Sequence, residues 1–167
     1  MSKISTPLLS QLVTAESMQN IDHWIAKYPA DQKQSAVMAT LMIVQEEHQH
    51  LTQELMDAVA SYLGMPAIAV YEVASFYTMY EHKPCGRNLV NVCTNISCKL
   101  RGADALVRHL EDKLAIRVGE TTSDGRFTLR SVECLGACVN APMMQVNKNY
   151  HENLTVENVD TVLDSYL

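Results

Sequence analysis

A chain of 167 residues with 47% hydrophobic content can bury one sizeable core or two small ones, so it has no need of a disulfide framework. Its formal net charge of -6, with 13 Lys and Arg against 19 Asp and Glu, excludes a basic nucleic-acid surface. No apolar run reaches the roughly 20 residues of a membrane-crossing helix. The opening MSKISTPLLSQL carries one lysine and neither a long apolar stretch nor a small-residue cleavage site, so no secretory signal is expected. The expected place is the cytosol, where thiols stay reduced. Five cysteines there point to metal or redox chemistry.

In chain order, Met18, Ile21, Ile25 and Tyr28 stand at helical spacing over residues 15–28, and Pro29 ends this first amphipathic helix. Asp31 can cap a second helix, with Val37, Leu41 and Val44 on one face and Met38 and Met42 beside them, before the polar run from Gln45 to Gln49. A third helix follows Leu51, with Leu55, Val59, Tyr62 and Leu63 on one side and a stop at Gly64 and Pro66. A fourth runs from about Ala67 into EVASFYTMY. Met38, Met42, Met56, Phe76, Tyr77 and Met79 are expected in the core or at an interface rather than in a cofactor box. Residues 1–84 thus form a helical domain without a catalytic constellation, expected to serve docking. Its cluster EEHQH at 46–50 offers metal-ligand types, but a solvated helix end accounts for them. The acidity concentrates here, with four Lys and Arg against nine Asp and Glu, and is read as solubility.

The pattern changes at HKPCGRN, which Pro84 and Gly86 mark as a linker, and a second domain over residues 85–167 begins. NLVNVC at 88–93 reads as a strand ending on Cys93. Ala103, Leu106, Val107, Leu110 and Leu114 mark a helix soon after Cys98. The segment 116–118, a Ser123-Asp124-Gly125 turn and a strand in RFTLRSVEC lead to Cys134, again at a strand end. Residues 143–146 and a strand returning at Tyr150 predict a hairpin. Thr155 can cap a last helix carrying Val159, Val162 and Leu163, with Leu154 stapling its start.

Four cysteines fall into two pairs. Cys93 and Cys98, in VCTNISCKLRG, have four residues between them; Cys134 and Cys138, in ECLGACVNAP, have three. Neither pair is the CxxC usual for redox dithiols and for structural zinc knuckles. Four thiolates are the complement of an iron-sulfur cluster, and in the 2Fe-2S type two cysteines hold each iron. A zinc module held by all four and a thioredoxin-like thiol oxidoreductase stand as rivals of other classes. The spacing speaks against the zinc module, and the missing CxxC against the oxidoreductase. Cys85 fits neither pair and is read as a non-ligand.

The string C-x4-C, a domain-length gap and CLGACVNAP resembles the small 2Fe-2S subunits of respiratory NADH:quinone oxidoreductase, complex I. EVASFYTMY at 72–80, KLRGADAL at 99–106 and GETTSDGRFTL at 119–129 carry the resemblance across roughly residues 15–165. It implies an α/β chain in which an N-terminal helical bundle precedes a thioredoxin-like 2Fe-2S domain. The cluster is then bound by Cys93, Cys98, Cys134 and Cys138, and Pro142 stands where such a fold can hold a cis proline.

The resemblance implies a one-electron carrier beside a flavin-containing NADH-oxidising subunit and other iron-sulfur subunits of the peripheral arm, with FMN and NADH bound on that partner. The assembly is attached to the cytoplasmic membrane, and this subunit stays peripheral on its cytoplasmic side without entering it. Equivalent subunits of NAD-linked hydrogenases and formate dehydrogenases form the nearest alternative. The six glycines make neither GxGxxG nor a P-loop, and no Ser-His-Asp order or zinc-protease helix stands out, so no complete active site is expected on this chain. Near the sulfurs, Thr94 and Ser97 are expected to donate hydroxyl hydrogen bonds, Gly136 and Ala137 to admit backbone N–H groups, and Lys99 and Arg101 to add positive charge. Two places depart from the family pattern. EEHQHL at 46–51 stands where relatives often have a glycine and an aromatic residue, and Cys85 where they have a small or aliphatic one.

Overall fold

The computed structural model of the chain describes residues 7–166. Residues 1–6, part of the segment read for a secretory signal, lie outside the described residues, as does residue 167. The chain divides into two compact units with the boundary between Pro84 and Cys85.

The first unit is helical: α1 (Leu9–Leu12), α2 (Ala15–Ile25), α3 (Val37–His48), α4 (Gln53–Leu63) and α5 (Ala67–Phe76). Hydroxyl caps open two of these helices, Thr14 accepting from the Ser17 N–H at α2 and Thr52 from the Leu55 N–H at α4. Gly64 closes α4 in the left-handed conformation that glycine adopts at no steric cost. Ile21, Leu41, Val44, Val59 and Val70 are completely buried on the facing stripes. Each such side chain contributes roughly 1.5–3 kcal/mol by leaving water.

The structure corrects several expectations here. Asp31 caps nothing: a 3-10 turn at Lys33–Ala36 precedes α3, which starts at Val37 without a side-chain cap. The helix also absorbs most of the polar run, ending at His48. Glu47 accepts hydrogen bonds from the Thr14 backbone N–H at 2.9 Å and the Ser17 hydroxyl at 2.6 Å. The Ser17 bond foremost, helped by those from Thr14, holds its carboxyl below the usual range against the opposing effect of burial. His48 donates a ring N–H to the Leu12 carbonyl at 2.7 Å. Glu47 and His48 therefore tie α3 to the start of the chain instead of forming a merely solvated end. Met38, Met42 and Met56 pack against the core, one of the two places expected for this group, and Phe76, Tyr77 and Met79 are exposed. Among the described residues no helix is long and apolar enough to cross a membrane.

The second unit gives the chain its α/β class. It contains β1 (Asn88–Cys93), α6 (Ile96–Leu100), α7 (Ala103–Leu114), β2 (Phe127–Val132), β3 (Met144–Val146), β4 (Asn149–His151) and α8 (Val156–Asp164). The strands lie in the order β2-β1-β3-β4, with β1 parallel to β2 and antiparallel to β3. A parallel pair needs a crossover, and α7 supplies it. Val90 stands opposite both Leu129 and Val146, so the strands turn one apolar face, with Val92 and Met144, toward Leu106 and Leu110 of α7 and Val159 and Leu163 of α8. Thr155 and Asn158 cap α8 reciprocally. Strand β2 stops at Val132, so Cys134 lies two residues beyond a strand end rather than on one. The short α6, not foreseen from the sequence, carries Cys98. The peptide bond from Ala141 to Pro142, before β3, is cis.

Candidate metal centre

Cys93 is the last residue of β1, and its N–H donates to the Met143 carbonyl at 3.2 Å, which fixes it against the β3 side. The chain then turns at once into α6, because Asn95 caps that helix by accepting from the Ile96 N–H at 2.9 Å. One turn of helix carries Cys98 back into the same buried cluster as Cys93. Both are about 1% exposed and share a small apolar cluster with Ala103, Ala141 and Met143.

The second pair is built by a loop. Gly136 adopts φ 86°, open to glycine and strained for other residues, and this swings its N–H onto the Cys134 sulfur at 3.4 Å. A 3-10 turn at Cys138–Asn140 follows and brings the Cys138 sulfur to 3.6 Å from that of Cys134. Both residues are exposed. Sulfurs in tetrahedral coordination with bonds of about 2.3 Å lie about 3.7 Å apart, so this pair is already set at the bite of one metal ion.

The pairs are near neighbours. Burial pushes the Cys98 thiol up to about 11, and its hydrogen bond with Cys93 and the charges of Cys93 and Cys138 act in the same direction. The Met143 N–H, donating to the Cys98 sulfur, opposes them. Cys138 is also raised, first by its bond with Cys134, while a hydrogen bond from the Ser97 hydroxyl acts the other way. Among the described residues no group of three or more His, Cys, Asp or Glu converges on a single-ion site. The arrangement is two cysteine pairs, one buried and one exposed, a set of four thiols that fits a di-iron group held by two cysteines per iron.

The other residues named from the sequence divide. Ser97 stands on α6 directly before Cys98. The Thr94 hydroxyl bonds Ser131 Oγ at 2.7 Å and the Val132 carbonyl at 3.3 Å, so it joins β1 to β2 instead of donating to a sulfur. Lys99 points to Asp104 at 3.5 Å, and Arg101 is exposed. Cys85 precedes β1, separated from Cys93 by a strand that rises about 3.3 Å per residue. Sequence reasoning missed Asn95, which caps α6 and donates to Glu133 at 2.9 Å, and Tyr150, whose hydroxyl donates to the Leu135 carbonyl at 2.8 Å. An asparagine just before a cysteine-bearing turn is a capping signal that can be read. The Tyr150 bond spans 15 residues and leaves no local trace.

Comparison with known proteins adds the family context. The thioredoxin-like [2Fe-2S] ferredoxin family matches residues 21–167. An NADH-quinone oxidoreductase subunit of Rhizobium meliloti (strain 1021) is 48% identical over 148 residues, 89% of this chain and 87% of that protein. Another, from Rickettsia bellii (strain RML369-C), is 43% identical over 141 residues, 84% of each. Among solved structures, an NAD+-reducing [NiFe]-hydrogenase in the H2-reduced state superposes with a TM-score of 0.69 at 22% identity over 78% of this chain. The chain spans only 22% of the hydrogenase chain, and this likeness is one of fold.

Proposed function

The chain belongs to the thioredoxin-like [2Fe-2S] ferredoxin family, and from that premise we propose that it is the 2Fe-2S one-electron carrier subunit of an NADH:quinone oxidoreductase. The observation that carries this reading is the pairing of the thiols, with Cys134 and Cys138 at 3.6 Å on one loop and Cys93 and Cys98 buried together in one small cluster. Cys93 and Cys98 would hold one iron, and Cys134 and Cys138 the other. The Gly136 N–H, donating to Cys134 at 3.4 Å, would spread part of the negative charge that four thiolates bring together. Such a group supplies one-electron exchange, which a flavin needs in order to pass on singly the two electrons it takes from NADH.

The partner in this reading is a flavin-containing NADH-oxidising subunit, which carries FMN and the nicotinamide site, together with other iron-sulfur subunits of the peripheral arm. The chain stays peripheral, on the cytoplasmic side of the membrane-attached assembly. The NADH-quinone oxidoreductase relatives, at 43–48% identity over most of the chain, favour this assembly over a hydrogenase, to which the likeness is one of fold.

Anaerobically purified protein is expected to contain about two irons and two acid-labile sulfides per chain, and to give an EPR signal after reduction with dithionite. Serine at any one of Cys93, Cys98, Cys134 or Cys138 should remove or destabilise the cluster, and Cys85→Ser should leave the visible bands intact. Zinc without sulfide, or loss of the bands in Cys85→Ser, would show the assignment to be wrong.

A further inference from the structure

Beyond Cys93, where β1 ends opposite Val132 of β2, the two cysteine-bearing segments stay joined for two residues more. The Thr94 N–H donates to the Val132 carbonyl at 3.0 Å, and the Asn95 Nδ2 donates to the Glu133 carboxylate at 2.9 Å. Asn95 stands at the start of the helix that carries Cys98, and Glu133 directly before Cys134, so this bond links the carrier of one pair to the carrier of the other. The Asn95 amide is held at both ends. Its Oδ1 accepts from the Ile96 N–H at 2.9 Å, which caps α6, so the direction of Nδ2 toward the carboxylate is set by the backbone rather than by a free rotamer. Aspartate would cap the helix equally well, but only asparagine adds an amide N–H donor to the capping oxygen. The acceptor is a carboxylate, which makes the bond charge-assisted.

We infer that Asn95 is a positioning residue for the metal centre, its bond to Glu133 holding the loop pair, Cys134 and Cys138, in register with the buried pair, Cys93 and Cys98, so that both close on one di-iron group. The inference rests on the four-cysteine assignment proposed above. The buried pair is placed by β1 and α6, and the exposed pair by the turn at Gly136, so each of these devices acts within one pair. The Asn95 bond acts between them. A hydrogen bond that orients the segments bearing metal ligands, without touching the metal, is worth about 10–100-fold in metal retention. Its loss should leave every ligand in the chain and the cluster more loosely held.

The test times iron release to a chelator from the full-length, iron-loaded chain and records the EPR g values after reduction with dithionite. Asn95→Asp keeps the cap and sets a second carboxylate against Glu133 in place of the donor. Iron is expected to leave about tenfold faster, and the g values to move. Adding Glu133→Gln to that variant restores donor and acceptor in exchanged places at the wild-type net charge, and should return both readouts to wild type. Glu133→Ala removes the bond together with the charge, and should release iron as fast as Asn95→Asp, which separates a lost bond from an added charge. In the iron-free variants Cys93 and Cys98 should alkylate as slowly as in wild type. Faster alkylation there would place the effect in the fold and overturn the inference. So would wild-type release in Asn95→Asp or Glu133→Ala, or no recovery in the double variant, and each of these leaves the ligand assignment standing. If Asn95→Asp takes up no iron, the double variant decides: loading supports the inference, and failure to load overturns it. A wild-type chain that binds no iron and sulfide overturns the ligand assignment itself, and this inference with it.

Discussion

Cys93 and Cys98 are about 1% exposed, walled by Ala103, Ala141 and Met143, while Cys134 and Cys138 stand in solvent on a loop that closes with Val139 at 86% exposure. The same chemical unit, a pair of neighbouring thiols, is therefore made in two ways. The buried pair is a product of the fold: a strand end and one helical turn place it, and it persists only while β1, β2 and β3 stay together. The exposed pair is a product of local devices, chiefly a left-handed glycine and a hydroxyl reaching in from β4. It follows that changes to the sheet core and changes to the loop should separate, each reaching one pair and sparing the other. Alkylation of protein prepared without iron measures that separation. Cys134 should label near the rate of a free thiol, Cys138 somewhat below it because its thiol pKa is raised, and Cys93 and Cys98 about a hundredfold more slowly than Cys134, the factor set by an opening cost of about 3 kcal/mol.

The largest break in the contrast is expected from Leu129→Ala. Leu129 is completely buried opposite Val90, and its truncation should cost about 2–5 kcal/mol. Urea unfolding should move to lower concentration, and labelling of Cys93 and Cys98 should rise toward that of the exposed pair. Equal acceleration at all four positions would show that the loop depends on the core as much as the strand does.

Gly86→Ala comes next. A Cβ there would stand 2.7 Å from the Phe127 carbonyl carbon and 2.9 Å from its nitrogen, both backbone, so β2 or the chain entering β1 must shift. Overpacking of this kind costs about 1–3 kcal/mol. The strain falls at the end of β1 away from Cys93, so the buried pair should label faster than in wild type but more slowly than in Leu129→Ala. Gly136→Ala sharpens the contrast from the other side. Nothing lies within 4 Å of the added Cβ, so its cost is the backbone penalty at φ 86°, about 1–2 kcal/mol. In the iron-loaded chain a chelator should strip iron faster, while alkylation of Cys93 and Cys98 in the iron-free chain stays at the wild-type rate.

The division between fold-made and loop-made features also marks what the sequence could reveal. The spacing of Leu106 and Leu110 announces α7, the run NLVNVC announces β1, and Thr155 announces the start of α8, because each signal is contained within one element. A five-residue helix such as α6 is too short for periodicity to register, so the reason Cys98 is buried and Ile96 exposed is not visible in VCTNISC. Nor can the local pattern say which pair is inside, since each cysteine segment has apolar neighbours. Glu47 shows the same limit in the helical unit. Its partners Thr14 and Ser17 lie at least 30 residues away, and EEHQH by itself reads as polar surface. Thr94 likewise gives no sign in the sequence of its partner, since Ser131, which its hydroxyl bonds just past the end of β1, lies 37 residues away.

The smallest expected effect belongs to Tyr150→Phe, and it tests the contrast most cleanly. Tyr150 is half exposed on the edge strand β4, and its hydroxyl donates to the Leu135 carbonyl at 2.8 Å, between Cys134 and the glycine that turns the loop. Phenylalanine keeps the ring and removes only that bond. A net loss of about 0.5–1.5 kcal/mol is expected, toward the lower end because water can replace the donor. The sheet loses nothing by this change, since β3 and β4 pair through their backbones. Urea unfolding should therefore stay close to wild type, while hydrogen exchange over residues 134–138 and iron release to a chelator both quicken. If Tyr150→Phe instead left exchange and release at their wild-type rates yet lowered the unfolding midpoint, the tyrosine would be holding the sheet edge, and the loop would owe its shape to Gly136 alone.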